Sequence, residues 1–113
     1  MKIAKFHIYL ADLNPAKGTE LGKVRPVIAV QTDLLNHTHF STIVCPMTST
    51  IVREAEPLRL HVSGRASGLD HDSDILIDQI RAIDNKRLIK FIGKLQPNYQ
   101  EKLLEYLRLL ILE

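Results

Sequence analysis

The sequence predicts a mainly β fold with one α-helix, a small, strongly bent sheet or open barrel onto which a C-terminal helix packs. Three observations lead there. Short β-branched apolar runs recur between turn residues, a helical spacing of apolar residues appears only at the C-terminal end, and the helices that alternating βαβ units would need are missing. At 113 residues the chain is expected to form one domain, 1–113.

The first half of the chain supplies three strands and one helical turn. A first apolar run is followed by a loop, 12–23, that carries Pro15, Gly18 and Gly22. Two β-branched apolar runs then have the composition of buried central strands. The predicted elements are strands at 6–11, 24–32 and 42–47, with one helical turn at 33–36.

The second half is predicted to hold three more strands and the helix. Residues 58–62 alternate between apolar and polar, as in a strand with one wet face. A polar loop at 63–73 should separate it from strands at 74–80 and 89–95, the last two joined by a turn or short helical connection at 84–87.

Pro97 suits the first position of a terminal helix. Apolar residues then recur at spacings of three or four and predict one continuous apolar face, which further leucines widen. Two explanations stay open, a deeply buried helix and a homodimer contact. The face comprises Tyr99, Leu103, Leu107, Leu110 and Ile111, widened by Leu104, Leu109 and Leu112.

Composition narrows the class of protein. With 45% hydrophobic and 25% charged residues, the chain should fold as a globular protein. A formal charge of +2 is too small for a histone-like binder, so any nucleic-acid contact must come from local charge placement. The single cysteine, Cys45, excludes a disulfide scaffold and is expected to be a small buried hydrophobe. No signal-like or membrane-spanning apolar run is present, and a cytoplasmic location is predicted.

The segment 18–26 carries the strongest local signal. Gly18 and Gly22 keep the loop open, Lys23 and Arg25 supply positive charge, and Pro26 leads into the apolar run that follows. Such a loop suits a phosphate group. An ordinary solvated basic loop entering a strand would have the same composition.

The ordered set of segments resembles the MazF/PemK family of toxin endoribonucleases, which form an SH3-like barrel with a terminal helix. The resemblance covers nearly the whole chain. Any one piece is weak, whereas the ordered set is specific. The segments are 12–15 (DLNP), 18–20 (GTE), 22–27 (GKVRPV), 46–49 (PMTS), 68–73 (GLDHDS), 78–84 (DQIRAID) and 92–95 (IGKL).

The resemblance implies the toxin of a type II toxin-antitoxin system, a sequence-specific endoribonuclease (mRNA interferase) acting on single-stranded RNA. It implies cleavage without a metal or other cofactor, leaving a 2′,3′-cyclic phosphate and a 5′-hydroxyl. It also implies a homodimer and a cognate MazE-like antitoxin. A CcdB-like gyrase poison and a catalytically inactive RNA-binding barrel are the alternatives; the absence of tryptophan disfavours the first.

The resemblance also implies the site residues. Arg25 and Thr48 match the central catalytic pair, and Glu20 matches a loop acid that orients the arginine or acts on the 2′-hydroxyl, although it could be an ordinary surface charge. Leu76 departs from the pattern, because some PemK members carry an arginine there. The residues expected to contact RNA are Lys17, Thr19, Lys23, Ser49, Asp78 and Gln79.

The implied chemistry needs these residue types. Attack by a 2′-hydroxyl puts extra charge on a five-coordinate phosphate, which a guanidinium fork can stabilise. A threonine hydroxyl at 48 can donate to a nonbridging oxygen, although a threonine that merely completes a turn would have the same sequence. The histidines show no metal-ligand spacing, and no metal site is predicted.

Overall fold

The computed structural model describes residues 1–15, 18–19 and 22–113, and these form one strongly bent, mostly antiparallel sheet with a C-terminal helix. The sheet is open and does not close into a full barrel, as the sequence predicted. The strands within the described part of the chain are β1 His7–Asp12, β2 Val24–Ala29, β3 Ser41–Thr48, β4 Arg59–Val62, β5 Ser73–Leu76, β6 Arg81–Asp84 and β7 Leu88–Lys94.

The sheet bends because β3 pairs with three strands along its length. Its beginning pairs with β6, its middle with β2 and its last two residues with β5. The strand order is β4-β5-β3-β2-β1-β7, with β6 beside β3 off this path. β3 is thus shared by two parts of the sheet, one containing β1, β2, β6 and β7 and the other containing β4 and β5. The end of β3 lies where these two parts meet.

The predicted helical turn is confirmed as α1, Asp33–Asn36. Thr32 caps it, because its side chain accepts a hydrogen bond from the backbone N–H of Leu34 at 3.3 Å. The predicted connection at 84–87 is confirmed as a 3₁₀ turn, Asn85–Arg87.

The prediction of a polar loop over 63–73 was wrong in part. This segment contains a short helix, α2 Gly64–Ser67, which ends at Gly68 in a left-handed conformation with φ of 75°. Because that conformation favours glycine, Gly68 can end the helix without strain, and its N–H bonds the carbonyl of Gly64.

The prediction of one strand over 74–80 was also wrong. β5 ends at Leu76, a 3₁₀ turn occupies Ile77–Gln79, and β6 follows. β5 sets Asp74 opposite Thr48, so an uninterrupted strand would set Asp78 opposite Val44, but Arg81 occupies that place. The additional residues form the 3₁₀ turn. Because of this turn, β5 lies beside the end of β3 and β6 lies beside its beginning.

Two clusters of buried side chains form the core. The first lies between the sheet and the C-terminal helix and includes Ile8, Met47 and Ile75. The second lies around Tyr9 and Val44. Cys45 is fully buried in the first cluster, as predicted.

The C-terminal helix, α3 Pro97–Leu107, begins at Pro97 as predicted. It buries Leu103 and Tyr106, and the latter was missed by the predicted apolar face. From Arg108 to Leu112 the chain winds as a π-helix, which changes the residue spacing per turn. The predicted face does not continue, and Leu110 and Ile111 are exposed.

Candidate active site

A groove of about 740 Å³ opens at the junction of the two parts of the sheet. Its walls come from the start of β2, the end of β3, the segment after α2 and the middle of β7. The groove side chains that could contact a ligand include Lys23, Arg25, Thr48, His71, Lys90 and Phe91.

Arg25 enters the groove from β2, where it pairs with Ala11 of β1. Its Nε donates to the carbonyl oxygen of Gly22 at 2.9 Å, and its Nη1 lies 3.4 Å from Oγ1 of Thr48. The side chain is only partly buried. The guanidinium is thus held by the protein at Nε and Nη1, and the remaining N–H groups can meet a ligand.

Lys23 is held in an uncommon backbone conformation, with φ of 68°. Its N–H donates to Oδ1 of Asn14 at 2.6 Å, and its carbonyl accepts from the N–H of Leu13 at 2.8 Å. These two bonds fix the backbone beside Arg25, while the Lys23 side chain stays exposed.

Thr48 is the last residue of β3 and is 8% exposed. Its Oγ1 accepts from the backbone N–H of Thr50 at 3.2 Å and faces Nη1 of Arg25. A threonine hydroxyl has two acceptor positions and one hydrogen. With both acceptor positions used, the hydrogen is the part of the group left to donate to a ligand.

Ser49 is exposed and lies on the groove wall beside Thr48. Arg25, Thr48, Lys23 and Ser49, four of the residues assigned to a site from the sequence, therefore line one groove. Their assigned roles stay predictions at this point.

Asp78 and Gln79 lie on the 3₁₀ turn after β5 and do not line the described part of the groove. Nε2 of Gln79 instead donates to the carbonyl oxygen of Thr19 at 3.1 Å. Gln79 thus tethers the loop that precedes β2. Glu20 and Lys17 lie outside the described residues.

Two side chains on the groove wall, Lys90 and Phe91, received no site role from the sequence, and His71 of the matched segment 68–73 lies on the same wall. Lys90 adds a third cation to those of Lys23 and Arg25, and Asp70 is an acidic side chain on the same wall. Phe91 is 51% exposed, with its ring 5.1 Å from that of His7.

Lys90 and Phe91 lie in the middle of β7, opposite Leu10 and Tyr9 of β1, and an irregular pairing flanks them on both sides. Register shifts fall between Ile8 and Tyr9 and between Leu10 and Ala11. Such bulges break the strict alternation of faces along a strand. The only sequence signal was the poor alternation over 89–95.

Two features were not found in the part of the chain that the structure describes. Among residues 1–15, 18–19 and 22–113, no group of three or more His, Cys, Asp or Glu side chains is arranged to hold a metal ion. In the same part of the chain, no helix has the length and apolar character needed to span a membrane.

Comparison with known proteins identifies the family. Residues 4–111 match the family described as PemK-like, MazF-like toxin of type II toxin-antitoxin systems, and the chain belongs to that family. Endoribonuclease EndoA of Bacillus subtilis (strain 168) is 35% identical over 109 residues, covering 96% of this chain and 94% of EndoA. The predicted membership is confirmed.

Solved structures agree with the fold. MazF (Form-I) from Deinococcus radiodurans superposes with a TM-score of 0.85 at 18% identity, covering 100% of this chain and 99% of that one. The Mycobacterium tuberculosis toxin MazF-mt6 has a TM-score of 0.75 at 24% identity, covering 90% and 92%. A MazE-MazF complex (Form-III) from D. radiodurans matches at 0.77 and 18% identity, covering 98% and 97%.

Proposed function

We propose that this family member is the toxin of a type II toxin-antitoxin system and an endoribonuclease that cuts single-stranded RNA at a specific sequence. The observation that carries the proposal is the contact between Arg25 and Thr48 across the groove, with Nη1 and Oγ1 3.4 Å apart. Both groups can donate hydrogen bonds to one phosphate. The 35% identity to Endoribonuclease EndoA supports the same reaction class.

The reaction proposed is attack of a ribose 2′-hydroxyl on the adjacent phosphorus. The new O2′–P bond forms as the P–O5′ bond breaks, giving a 2′,3′-cyclic phosphate and a 5′-hydroxyl. A base takes the proton of the 2′-hydroxyl, and an acid supplies one to the departing O5′. The RNA itself supplies the nucleophile, and Arg25 supplies positive charge at the phosphate, so the proposed reaction needs neither a metal-bound water nor another cofactor.

Arg25 stabilises the charge that develops on the phosphate. Its Nε bond to Gly22 fixes the guanidinium, which leaves N–H groups of the fork for the nonbridging oxygens. Thr48 donates its hydroxyl hydrogen to one of those oxygens. Donors that are already oriented need no rearrangement as the charge builds up.

The remaining groove residues hold the RNA. Lys23 and Lys90 attract the backbone phosphates, and Ser49 supplies a further hydroxyl. The half-exposed ring of Phe91 is a surface on which an unpaired base can stack. Stacking of this kind requires a single strand, because bases in a duplex already stack on each other.

The toxin is proposed to be a homodimer in the cytoplasm whose groove is blocked by a MazE-like antitoxin. Several apolar side chains of the last two helical segments are exposed in the isolated chain, and a second copy would cover them. An acidic, disordered antitoxin segment would suit the cationic groove. The exposed apolar residues are Leu104, Leu109, Leu110, Ile111 and Leu112.

The test is to incubate the purified protein with a long unstructured RNA in EDTA and to map both ends of every fragment, with the mass in solution measured on the same sample. Cuts at one short sequence that leave 2′,3′-cyclic phosphate and 5′-hydroxyl ends are expected, from a dimer. Intact RNA from a folded sample would overturn the nuclease proposal. RNA binding without cleavage would then indicate an inactive barrel, and inhibition of gyrase a CcdB-like toxin.

A further inference from the structure

Next to the groove, the side chain of Asp74 is buried with its carboxylate fully engaged. It is 1% exposed, and its two oxygens lie within hydrogen-bond distance of three nitrogen atoms. Oδ2 accepts from the N–H of Val52 at 3.0 Å and from Nη1 of Arg59 at 3.2 Å, and Oδ1 lies 3.2 Å from Nδ1 of His61. A buried carboxylate is costly unless such partners compensate it.

The register of the sheet places this carboxylate beside Thr48. Asp74 of β5 pairs with Thr48 of β3 on one side and with His61 of β4 on the other. Directly opposed residues in antiparallel strands project to the same face of the sheet. The three side chains therefore form a row across the strands.

A chain of hydrogen bonds connects Asp74 to the hydroxyl of Thr48. The same Nη1 of Arg59 that meets Asp74 also donates to the carbonyl oxygen of Thr50, at 3.1 Å. The N–H of Thr50 donates to Oγ1 of Thr48 at 3.2 Å. The carboxylate thus holds the segment 50–52 at two points, directly through Val52 and indirectly through Arg59.

We propose that Asp74 is a positioning residue for the RNA-cleavage reaction, acting through Arg59 and the backbone of Thr50 on the hydroxyl of Thr48. The inference rests on the proposed function of the groove. Residues 50–52 are in no strand, so the sheet ladder does not fix their position. Asp74 and Arg59 fix it instead, and the Thr50 N–H then occupies one acceptor position of Oγ1.

The consequence is a defined direction for the Thr48 hydroxyl hydrogen. Arg25 occupies the other acceptor position, so the hydrogen is directed away from both donors and toward the phosphate. If the segment 50–52 shifts, the hydroxyl can rotate and donate elsewhere. The donor is then lost from the transition state while the RNA-binding cations stay in place.

The test is a double-mutant cycle between Asp74→Asn and Thr48→Val, measured by steady-state cleavage of a short RNA that holds one cut site. Asn keeps the shape of the side chain but removes the charge that holds Arg59. We expect D74N alone to lower kcat about fivefold to tenfold with little change in KM, the loss of one well-directed hydrogen bond. In the T48V background, D74N should lower kcat no further.

Asp72→Asn is the matched control. Asp72 Oδ2 lies 3.7 Å from Nε2 of His61, so this carboxylate touches the same histidine but makes no described hydrogen bond to segment 50–52. D72N should leave kcat unchanged. Equal effects of D72N and D74N would overturn the inference, as would a D74N loss of the same size in the T48V background.

Arg59→Met gives a second, independent variant if D74N fails to fold, since the Arg59 side chain is partly exposed. It removes the link to Thr50 and should reproduce the kcat loss and the dependence on Thr48. Wild-type protein that does not cut RNA would refute the proposed function itself. Wild-type protein that cuts RNA alongside fully active D74N and R59M would refute only the positioning role.

Discussion

Nη1 of Arg25 faces Oγ1 of Thr48 at 3.4 Å, although 23 positions separate the two residues in the chain. The pairing of β2 with β3 explains this. Val27 lies opposite Pro46, so two residues further along each strand Arg25 and Thr48 come opposite each other on one face. The ladder that builds the core thereby also brings the two polar groups together at its end.

The first prediction concerns the geometry of Arg25. Arg25→Lys keeps a positive charge but removes the planar fork, whose Nε and Nη1 bond Gly22 and Thr48. We expect kcat for RNA cleavage to fall about a hundredfold to a thousandfold, because a directed donor to the developing charge is lost. RNA affinity, measured with a substrate that lacks the attacking 2′-hydroxyl, should change much less.

Lys23→Arg is the control for charge and bulk in the same groove. Like R25K, this substitution exchanges one positively charged side chain for another. The Lys23 side chain is exposed and makes no described contact with Thr48. If R25K weakened RNA affinity but left the kcat of bound RNA unchanged, Arg25 would be a phosphate-binding residue only.

The second prediction concerns Phe91. Phe91→Ala should cost about 1–3 kcal/mol of RNA-binding free energy if a base stacks on its ring. Ile89→Ala is the matched control, because Ile89 is equally exposed on β7 but does not line the groove. Titration of both variants with a fluorescently labelled single-stranded RNA gives the two dissociation constants. Equal values would contradict a stacking role for Phe91.

The parts of the site that the sequence could predict are those that one short segment determines. The turn and strand residues around Arg25 lie within nine positions, and their glycines, cations and proline each have a local consequence. The apolar, β-branched run at 42–47 likewise predicted a strand, and in the structure this strand ends at Thr48. Combined with the family resemblance, these two segments led to the prediction that Arg25 and Thr48 act together, and that role stays a prediction.

The remaining wall of the groove depends on pairings between distant strands. Lys90 and Phe91 reach the groove because β7 pairs with β1, with Lys90 opposite Leu10 and Phe91 opposite Tyr9, a long-range pairing that no local pattern in 89–95 specifies. The turn at Ile77–Gln79 has a similar origin, since it follows from where β5 and β6 meet β3. Periodicity within 74–80 contains no information about that offset.

The third prediction concerns Cys45. Burial, with a smaller contribution from the negative charge of Asp78, raises the pKa of its thiol to about 12. At about pH 8 the reactive thiolate is therefore scarce, and the sulfur is also shielded from reagents. A chromogenic disulfide reagent should give no reaction with the native protein and one thiol per chain after denaturation. Rapid labelling of the native protein would contradict the packing around Cys45.

The fourth prediction concerns Tyr106 and alkaline pH. Oη of Tyr106 donates to Oε2 of Glu56 at 2.5 Å, and this hydrogen bond, followed by burial and nearby carboxylates, raises the pKa of the phenol from 10.0 to about 12. Between these two values the folded state holds a proton that the unfolded state has lost. The stabilisation is therefore complete below about pH 10 and is lost as the pH rises through about 12.

Tyr106→Phe isolates this contribution, because phenylalanine keeps the ring but has no proton to lose. The free energy of unfolding, measured with denaturant across the alkaline range, should fall more steeply with pH for the wild type than for Y106F. Cys45 and Tyr9, whose pKa values are also raised, are present in both proteins and cancel in the difference. Parallel curves for the two proteins would mean that the bond to Glu56 does not hold the phenol in its neutral form.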